Sequence, residues 1–121
     1  MQTRRLDSEA AALTHLPLTP AILHILLALA DEDRHGYGIM QEVTRLTDGA
    51  VQMGPGTLYG TIKRIVAAGL LEEADERPDP ALDDERRRYY RATRLGLRVL
   101  KAEVGRLRTL VSVARAKKVT P

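Results

Sequence analysis

Four short stretches decide the fold of this chain: HGYGI at residues 35–39, GPGTLY at 54–59, GLLEE at 69–73 and RRRYY at 86–90. In order, they predict the start of one helix, the start of a second helix, a strand, and a returning strand edged with arginines. All four tyrosines of a chain that has neither Phe nor Trp lie within this block. The block is therefore the first place to look for a binding surface.

Two helices are predicted on the N-terminal side of the second stretch. Proline favours the first helical position, and Thr19 followed by Pro20 therefore predicts a capped helix whose apolar residues recur at helical spacing up to Leu29. The glycines of HGYG mark the entry to the next helix, which runs to about Leu46. Both helices are expected to contribute to an aliphatic core.

The helix opened by Pro55 has one apolar and one small, polar face. Gly69 follows its last turn and is well placed as a left-handed C-cap. Its inward residues are predicted to be Leu58, Ile62 and Ile65, and its outward residues Thr57, Gly60, Thr61 and Arg64.

Residues 70–76 and 86–92 are predicted to pair as a β-hairpin, with the Pro- and Asp-rich residues 77–85 as its loop. Thr93 then caps a final helix of about 23 residues. Apolar residues along this helix repeat at alternating spacings of three and four, the pattern of a seam that packs against another helix. The seam consists of Leu97, Leu100, Val104, Leu107, Val111 and Ala114.

This succession predicts a mainly α fold with a small β-hairpin: a winged helix-turn-helix plus a long C-terminal dimerisation helix. Such folds usually bind duplex DNA. The predicted units are an N-terminal helix at 1–15 that joins the dimer interface, the winged domain at 19–93, the dimerisation helix at 94–116 and a frayed tail at 117–121.

The composition excludes several other classes of protein. The 121 residues include no cysteine, which rules out disulfides and thiolate metal sites, and the three histidines lack metal-ligand spacing. No secretory leader, membrane span, catalytic constellation or phosphate-binding glycine loop appears, so a cytoplasmic, non-enzymatic protein without a cofactor is expected.

Charge is distributed in blocks along the chain. Residues 71–85 carry one arginine against eight acids, whereas 94–121 carry eight basic residues against Glu103 alone, within a net charge of +3. Such blocks indicate where an anionic partner can dock.

The helix opened by Pro55 is the candidate for DNA recognition. Its first turn offers free N–H groups to a phosphate, and its small residues allow close approach in a major groove. The arginines at 86–88 are suited to backbone phosphates. The predicted DNA-contacting residues are Tyr37, Gly54, Pro55, Gly56, Thr57, Tyr59, Gly60, Thr61, Lys63, Arg64, Arg86, Arg87 and Arg88.

Plainer interpretations stay open for the same residues. The helix is equally compatible with a core helix that has a polar outer face. The arginines at 86–88 and Arg91 can instead form ion pairs with Glu72, Glu73 or Glu76 across the hairpin. For the whole chain, the alternatives are a winged-helix module that binds an acidic protein and an architectural protein that binds DNA without a defined operator.

The motifs together resemble the PadR family of transcriptional regulators over about residues 19–101. They are HGYG at 35–38, PGTLY at 55–59, KR at 63–64, GL at 69–70 and RRYY at 87–90. The resemblance implies a homodimer built through the C-terminal helix, in the short-chain branch of the family. It also implies a repressor that leaves a pseudo-palindromic operator on double-stranded DNA when a small-molecule effector binds.

Two features depart from the family pattern. The wing loop at 78–85 is long and acidic, so the arginines at its base are left to make the DNA contacts. Members that bind flat aromatic effectors often place a tryptophan between the subunits, and this chain has none. An effector would therefore occupy an aliphatic cavity lined by the first and last helices.

Overall fold

The computed structural model describes residues 12–74 and 88–121. Its four long helices are α1 (Pro20–Ala28), α2 (Gly36–Leu46), α3 (Pro55–Ala67) and α4 (Arg94–Ala116), and its three short strands are β1 (Arg34–His35), β2 (Leu71–Glu73) and β3 (Tyr89–Ala92). Most of the predicted N-terminal helix lies outside the described residues, although residues 12–14 are helical. The predicted wing loop at 77–85, with Arg86 and Arg87, lies outside them too.

The helix starts follow the local signals in the sequence. The Thr19 hydroxyl accepts a hydrogen bond from the Ile22 N–H at 3.3 Å, and the Thr93 hydroxyl accepts one from the Gly96 N–H at 3.0 Å. Proline occupies the first turn of both α1 and α3. Gly69 has φ +81°, the left-handed conformation expected of a helix C-cap. The predicted bounds of these helices are therefore confirmed.

The sheet has one strand more than the predicted hairpin. Its order is β1-β3-β2, all antiparallel, with Arg34 opposite Tyr90 and Glu72 opposite Arg91. β1 has only two residues, both polar, and its hydrogen-bonding partner β3 lies more than fifty residues later, so no local pattern announces it. Within the described residues the two predicted strands pair over 71–73 and 89–92, and residues 75–76 and 86–87 of the prediction lie outside the described part of the chain.

The core lies between α1, α2, α3, the sheet and the first half of α4. Ile25, Leu26 and Ile39 are fully buried there, together with Leu58 from α3 and Val99 from α4. The close approach of α4 to the end of α3 requires glycine at position 96, because a side chain there would collide with the Leu70 carbonyl oxygen. The first half of α4 is therefore part of the domain.

The burial of Leu100 corrects the predicted seam. Leu100 is only 6% exposed and packs in the core of its own domain, so it does not face a partner. Further along α4, Val104 and Val111 are exposed, and no residue from 104 to 121 is buried. The predicted seam was wrong at Leu100 because the first half of α4 packs in the core of the domain, whereas residues 104–121 lie outside that core.

Glu103 is a buried carboxylate at the point where α4 leaves the core. It is 1% exposed, accepts a hydrogen bond from the Leu18 N–H at 2.7 Å and forms an ion pair with Arg106. The hydrogen bond from Arg106, aided by that from Leu18, lowers the pKa of Glu103 in spite of its burial. The carboxylate thereby ties the segment before α1 to the middle of α4.

Stability is expected to depend on this charge. Because its pKa is lowered in the fold, Glu103 contributes stability that is complete above its unfolded value of about 4.3 and is lost as pH falls through the folded value. Replacing Glu103 with Gln should lower the free energy of unfolding at pH 7 by roughly 1–3 kcal/mol. Urea titrations should show this difference shrinking below about pH 4.3.

Glu32→Gln is the matched control for this experiment. Its side chain is 63% exposed and pairs with Arg34 at the surface, so the same chemical change should have little effect on stability. Equal stability of wild type and Glu103→Gln at pH 7 would contradict the role assigned to the buried charge.

Candidate nucleic-acid interface

The outward face of α3 is polar, small and exposed. Leu58, Ile62 and Ile65 point into the core, as predicted. Exposed positions on the other side are Gly54, Pro55, Gly56, Thr57, Gly60, Lys63 and Arg64. The structure therefore brings seven of the predicted contact residues together on one helix.

At three positions on this face, neither a close contact among the described residues nor a positive φ requires glycine. A Cβ atom at Gly54, Gly56 or Gly60 would meet no atom within 4 Å, and none of the three has a positive φ. Glycine inside a helix is less favourable than alanine by about 1 kcal/mol. The backbone at Gly56 and Gly60 is therefore accessible from outside the domain, and packing within the described residues does not require glycine there.

The first turn of α3 has free donors. Gly54 is the N-cap and offers no side-chain hydrogen bond to the helix. The N–H groups of Gly56 and Thr57 consequently point outward at the positive end of the helix dipole, where an anion is stabilised.

Thr61 was wrongly placed on the outer face. It is 1% exposed, and its hydroxyl donates a hydrogen bond to the Thr57 carbonyl oxygen at 2.7 Å. The same hydroxyl accepts from Arg64 Nη2 at 3.3 Å. Its position three residues after Leu58 and one before Ile62 belongs to the apolar stripe, a signal that the sequence contained. Thr61 thus orients Arg64 from beneath.

Tyr59 also differs from the prediction. Its hydroxyl oxygen is buried, and its ring packs so closely on Gly36 that a side chain at that glycine would overlap it. Tyr59 therefore fixes α3 against the start of α2, and its hydroxyl does not face solvent. Tyr37, the residue that follows Gly36, is 47% exposed, and its side chain is therefore accessible to a phosphate.

His35 is a positioning residue that the sequence analysis missed. Its Nδ1 accepts a hydrogen bond from the Gly38 N–H at 2.8 Å and so caps α2. The centroid of its ring lies 6.4 Å from that of the Tyr37 ring, in a stacked arrangement. It lies 5.2 Å from the centroid of the Tyr89 ring, in an edge-to-face arrangement. His35 therefore holds Tyr37 at the edge of the sheet. A histidine directly before a glycine at a helix start was the available signal.

Two of the hairpin arginines form ion pairs, as the plainer interpretation allowed. Arg88 Nη1 lies 3.5 Å from Glu73 Oε1, and Arg91 Nε lies 2.9 Å from Glu72 Oε1. All four side chains are about half exposed. Exposed pairs of this kind exchange partners easily because their net stability is small.

Two of the grooves on the protein bear on its function. The first, about 300 Å³, lies between α3 and the sheet and is lined by Tyr59, Ile62, Lys63, Val66, Glu73, Arg88 and Tyr90. The second, about 390 Å³, lies between residues 12–13 and α4. It has the location expected of an effector cavity, but Arg98 and Lys101 line it in addition to Ala12, Leu13 and Ala102.

The described residues contain neither a cluster of metal ligands nor a membrane-spanning helix. Within 12–74 and 88–121, no group of three or more His, Cys, Asp or Glu side chains is arranged to hold a metal. Over the same residues, no helix combines the length and the apolar character needed to cross a membrane.

Comparison with known proteins confirms the resemblance seen in the motifs. The sequence model of the "Transcriptional regulator PadR-like family" matches residues 23–102. The "Transcriptional regulator Rv3488" of Mycobacterium tuberculosis is 40% identical over 74 residues, which are 61% of this chain and 63% of that protein. The chain thus spans somewhat less than two thirds of the length of this relative.

Solved structures share the fold. A transcriptional regulator from Clostridium thermocellum aligns with a TM-score of 0.64 at 24% identity, covering 79% of this chain and 87% of the other. A PadR family transcription regulator from Clostridium difficile R20291 gives the same TM-score at 21% identity, covering 81% and 97%. With the family match extending over more than half of its length, this chain belongs to the PadR-like family of transcriptional regulators.

Proposed function

We propose that the chain is a dimeric, sequence-specific DNA-binding transcriptional regulator, a repressor that leaves its operator when a small molecule binds. The observation that carries the proposal is the outward face of α3. It combines bare glycine backbone, free N–H donors at Gly56 and Thr57, and the cations Lys63 and Arg64. These are the features that close contact with a major groove requires.

In the proposed complex, the two copies of α3 enter successive major grooves about 34 Å apart on a pseudo-palindromic site. Tyr37 and Arg88 reach the flanking phosphates, which set affinity and orientation but carry no sequence information. Arg64 and Lys63 are the side chains on α3 suited to guanine edges.

The second half of α4 supports self-association. Beyond Glu103 the helix has no buried residue, yet the seam residues Val104 and Val111 are both about half exposed. A projecting helix of this length is marginal alone in water. A second copy of the helix would bury these side chains, and we place the dimer interface there.

The groove between residues 12–13 and α4 is the proposed effector site. It lies beside both the N-terminal segment and the helix assigned to the dimer, so an occupant could change how the two subunits are held. A ligand that binds one subunit arrangement better than the other shifts the population toward it.

The proposal is tested by fluorescence anisotropy with the duplex upstream of the protein's own gene and a scrambled duplex of equal length. Selective binding of two subunits per duplex, weakening steeply with salt, is the expected result. Equal and weak binding to both duplexes would contradict a defined operator at that position. No binding at low salt would contradict the DNA-binding function itself.

Arg64→Ala is expected to relax base preference rather than fold stability. The side chain is exposed and hydrogen-bonded to Thr61, so its loss should remove about 1–3 kcal/mol of discrimination at one base pair. Anisotropy with single-base variants of the operator measures this loss. Arg108→Ala, an exposed cation on α4, is the control and should leave base preference unchanged. Equal losses on operator and scrambled DNA would assign Arg64 to phosphate contact instead.

A second candidate is supported by the outer face of α4. Arg94, Arg98, Lys101, Arg108 and Arg115 are exposed and, within the described part of the chain, form no ion pair. Such a face suits an acidic protein. Binding of an acidic partner that is lost on changing Arg108 and Arg115 to Glu, by a protein that binds no duplex, would favour this function over the first.

A further inference from the structure

Among the described residues that line the groove between α3 and the sheet, Glu73 is acidic and the others are cationic or largely apolar. Lys63 stands on its α3 side and Arg88 on its sheet side, and Ile62, Val66 and Tyr90 form its apolar surface. Glu73 lies opposite Tyr90 in the antiparallel register, and Arg88, directly before β3, is two residues from Tyr90 and lines the same groove. Glu73 and Arg88 therefore share the face that is turned toward α3.

In this position Glu73 already forms an ion pair with Arg88, a cation that is suited to a DNA phosphate. Arg88 Nη1 and Glu73 Oε1 are 3.5 Å apart, and the two side chains are 58% and 56% exposed. A carboxylate and a phosphate present the same kind of charged oxygen acceptor to a guanidinium group. A phosphate that approaches Arg88 competes with Glu73 for the guanidinium group and also meets the negative charge of Glu73.

The neighbouring pair provides an internal comparison. Glu72 and Arg91 are directly opposite each other in the register and form an ion pair of 2.9 Å with similar exposure. Because successive residues of a strand point to opposite faces, this pair lies on the face turned away from α3. The groove accordingly has Glu73 and Arg88 in its lining but neither Glu72 nor Arg91.

We propose that Glu73 competes internally with DNA phosphate for Arg88 and thereby limits the affinity of this protein for all DNA. The proposal rests on the DNA-binding function proposed above and names the residue that sets its strength. Phosphate contacts carry no sequence information, so the effect of Glu73 should be the same on operator and on unrelated DNA. As a consequence, the protein should bind only weakly to DNA outside its operator.

The test is a double-mutant cycle between Glu73→Gln and Arg88→Ala, with Glu72→Gln as the matched control. Binding to the upstream and scrambled duplexes is measured by anisotropy across a salt series. Glu73→Gln should tighten binding to both duplexes by about two- to fivefold, the range expected for an exposed ion pair. It should also steepen the salt dependence by about one counterion, because Arg88 becomes free to neutralise a phosphate.

The gain should disappear when Arg88 is alanine, because no guanidinium is then released. Glu72→Gln carries the same change in net charge and should give a smaller gain or none. An equal gain from the two glutamine variants, or a gain that persists without Arg88, would overturn the competition and indicate general charge repulsion. A wild-type protein that binds duplex DNA but shows no gain with Glu73→Gln would also overturn it, leaving the proposed function intact. Failure of every variant to bind duplex would remove both.

Discussion

Changing Val104 and Val111 together to aspartate is expected to give a folded monomer that has lost operator binding. Both side chains are about half exposed in the single chain, so their replacement removes little from the domain core. A twofold interface through them would bring four new carboxylates together at close range. Light scattering with size-exclusion chromatography should then report a single chain of 13.4 kDa.

Operator affinity should fall with the dimer because each half-site would be bound independently. Linking two binding modules typically raises overall affinity by about 10²–10⁴-fold, so a loss of about 100-fold or more is expected from the monomer. The thermal transition of the winged domain is expected to persist, since its core ends at Leu100 and Glu103.

Thr109 and Ser112, on the far side of α4, supply the control. Both are exposed, and changing them together to aspartate adds the same charge to the same helix. This variant should remain dimeric and bind the operator. If the Val104 and Val111 variant stayed dimeric, the interface would have to be assigned to another surface of the chain.

The parts of the fold that follow from local chemistry were predictable from the sequence. Thr19 and Thr93 cap helices because their hydroxyl oxygens accept hydrogen bonds from N–H groups that have no partner within the helix. These hydrogen bonds do not depend on the rest of the chain. Pro55 opens α3, and Gly69 ends its last turn, for equally local reasons. The family motifs include these positions, so the family was recognisable too.

Apart from Thr61, whose place in the apolar stripe of α3 was visible in the sequence, the corrections concern contacts between distant segments. β1 forms because Arg34 and His35 pair with β3. The Tyr59 hydroxyl is buried because Gly36 has no side chain and leaves room for the tyrosine ring. Leu100 has the heptad spacing of its seam but belongs to the core, since the domain ends only at Glu103. Periodicity tells which side chains share a face, whereas the neighbour that covers the face is decided by packing across the chain.

Replacing Gly60 with alanine is expected to stabilise the protein and weaken its binding to DNA. The free space around this position means that the new methyl group meets no other side chain or backbone atom. The helix should gain up to about 1 kcal/mol from the better helix former. In the proposed complex the same methyl group lies between α3 and the groove wall, and a loss of about tenfold in affinity, about 1.4 kcal/mol, is expected.

Gly105→Ala separates the two effects. Gly105 also lies inside a long helix, and a Cβ atom added there would meet nothing within 4 Å, but it is on α4, on the side opposite Leu107 and Ala114. Both variants should raise the urea midpoint by similar amounts, and only Gly60→Ala should bind the operator more weakly. Undiminished binding by Gly60→Ala would mean that the backbone of α3 does not approach DNA closely. Recognition would then depend on the longer side chains of Lys63 and Arg64, and the glycines of α3 would need another explanation.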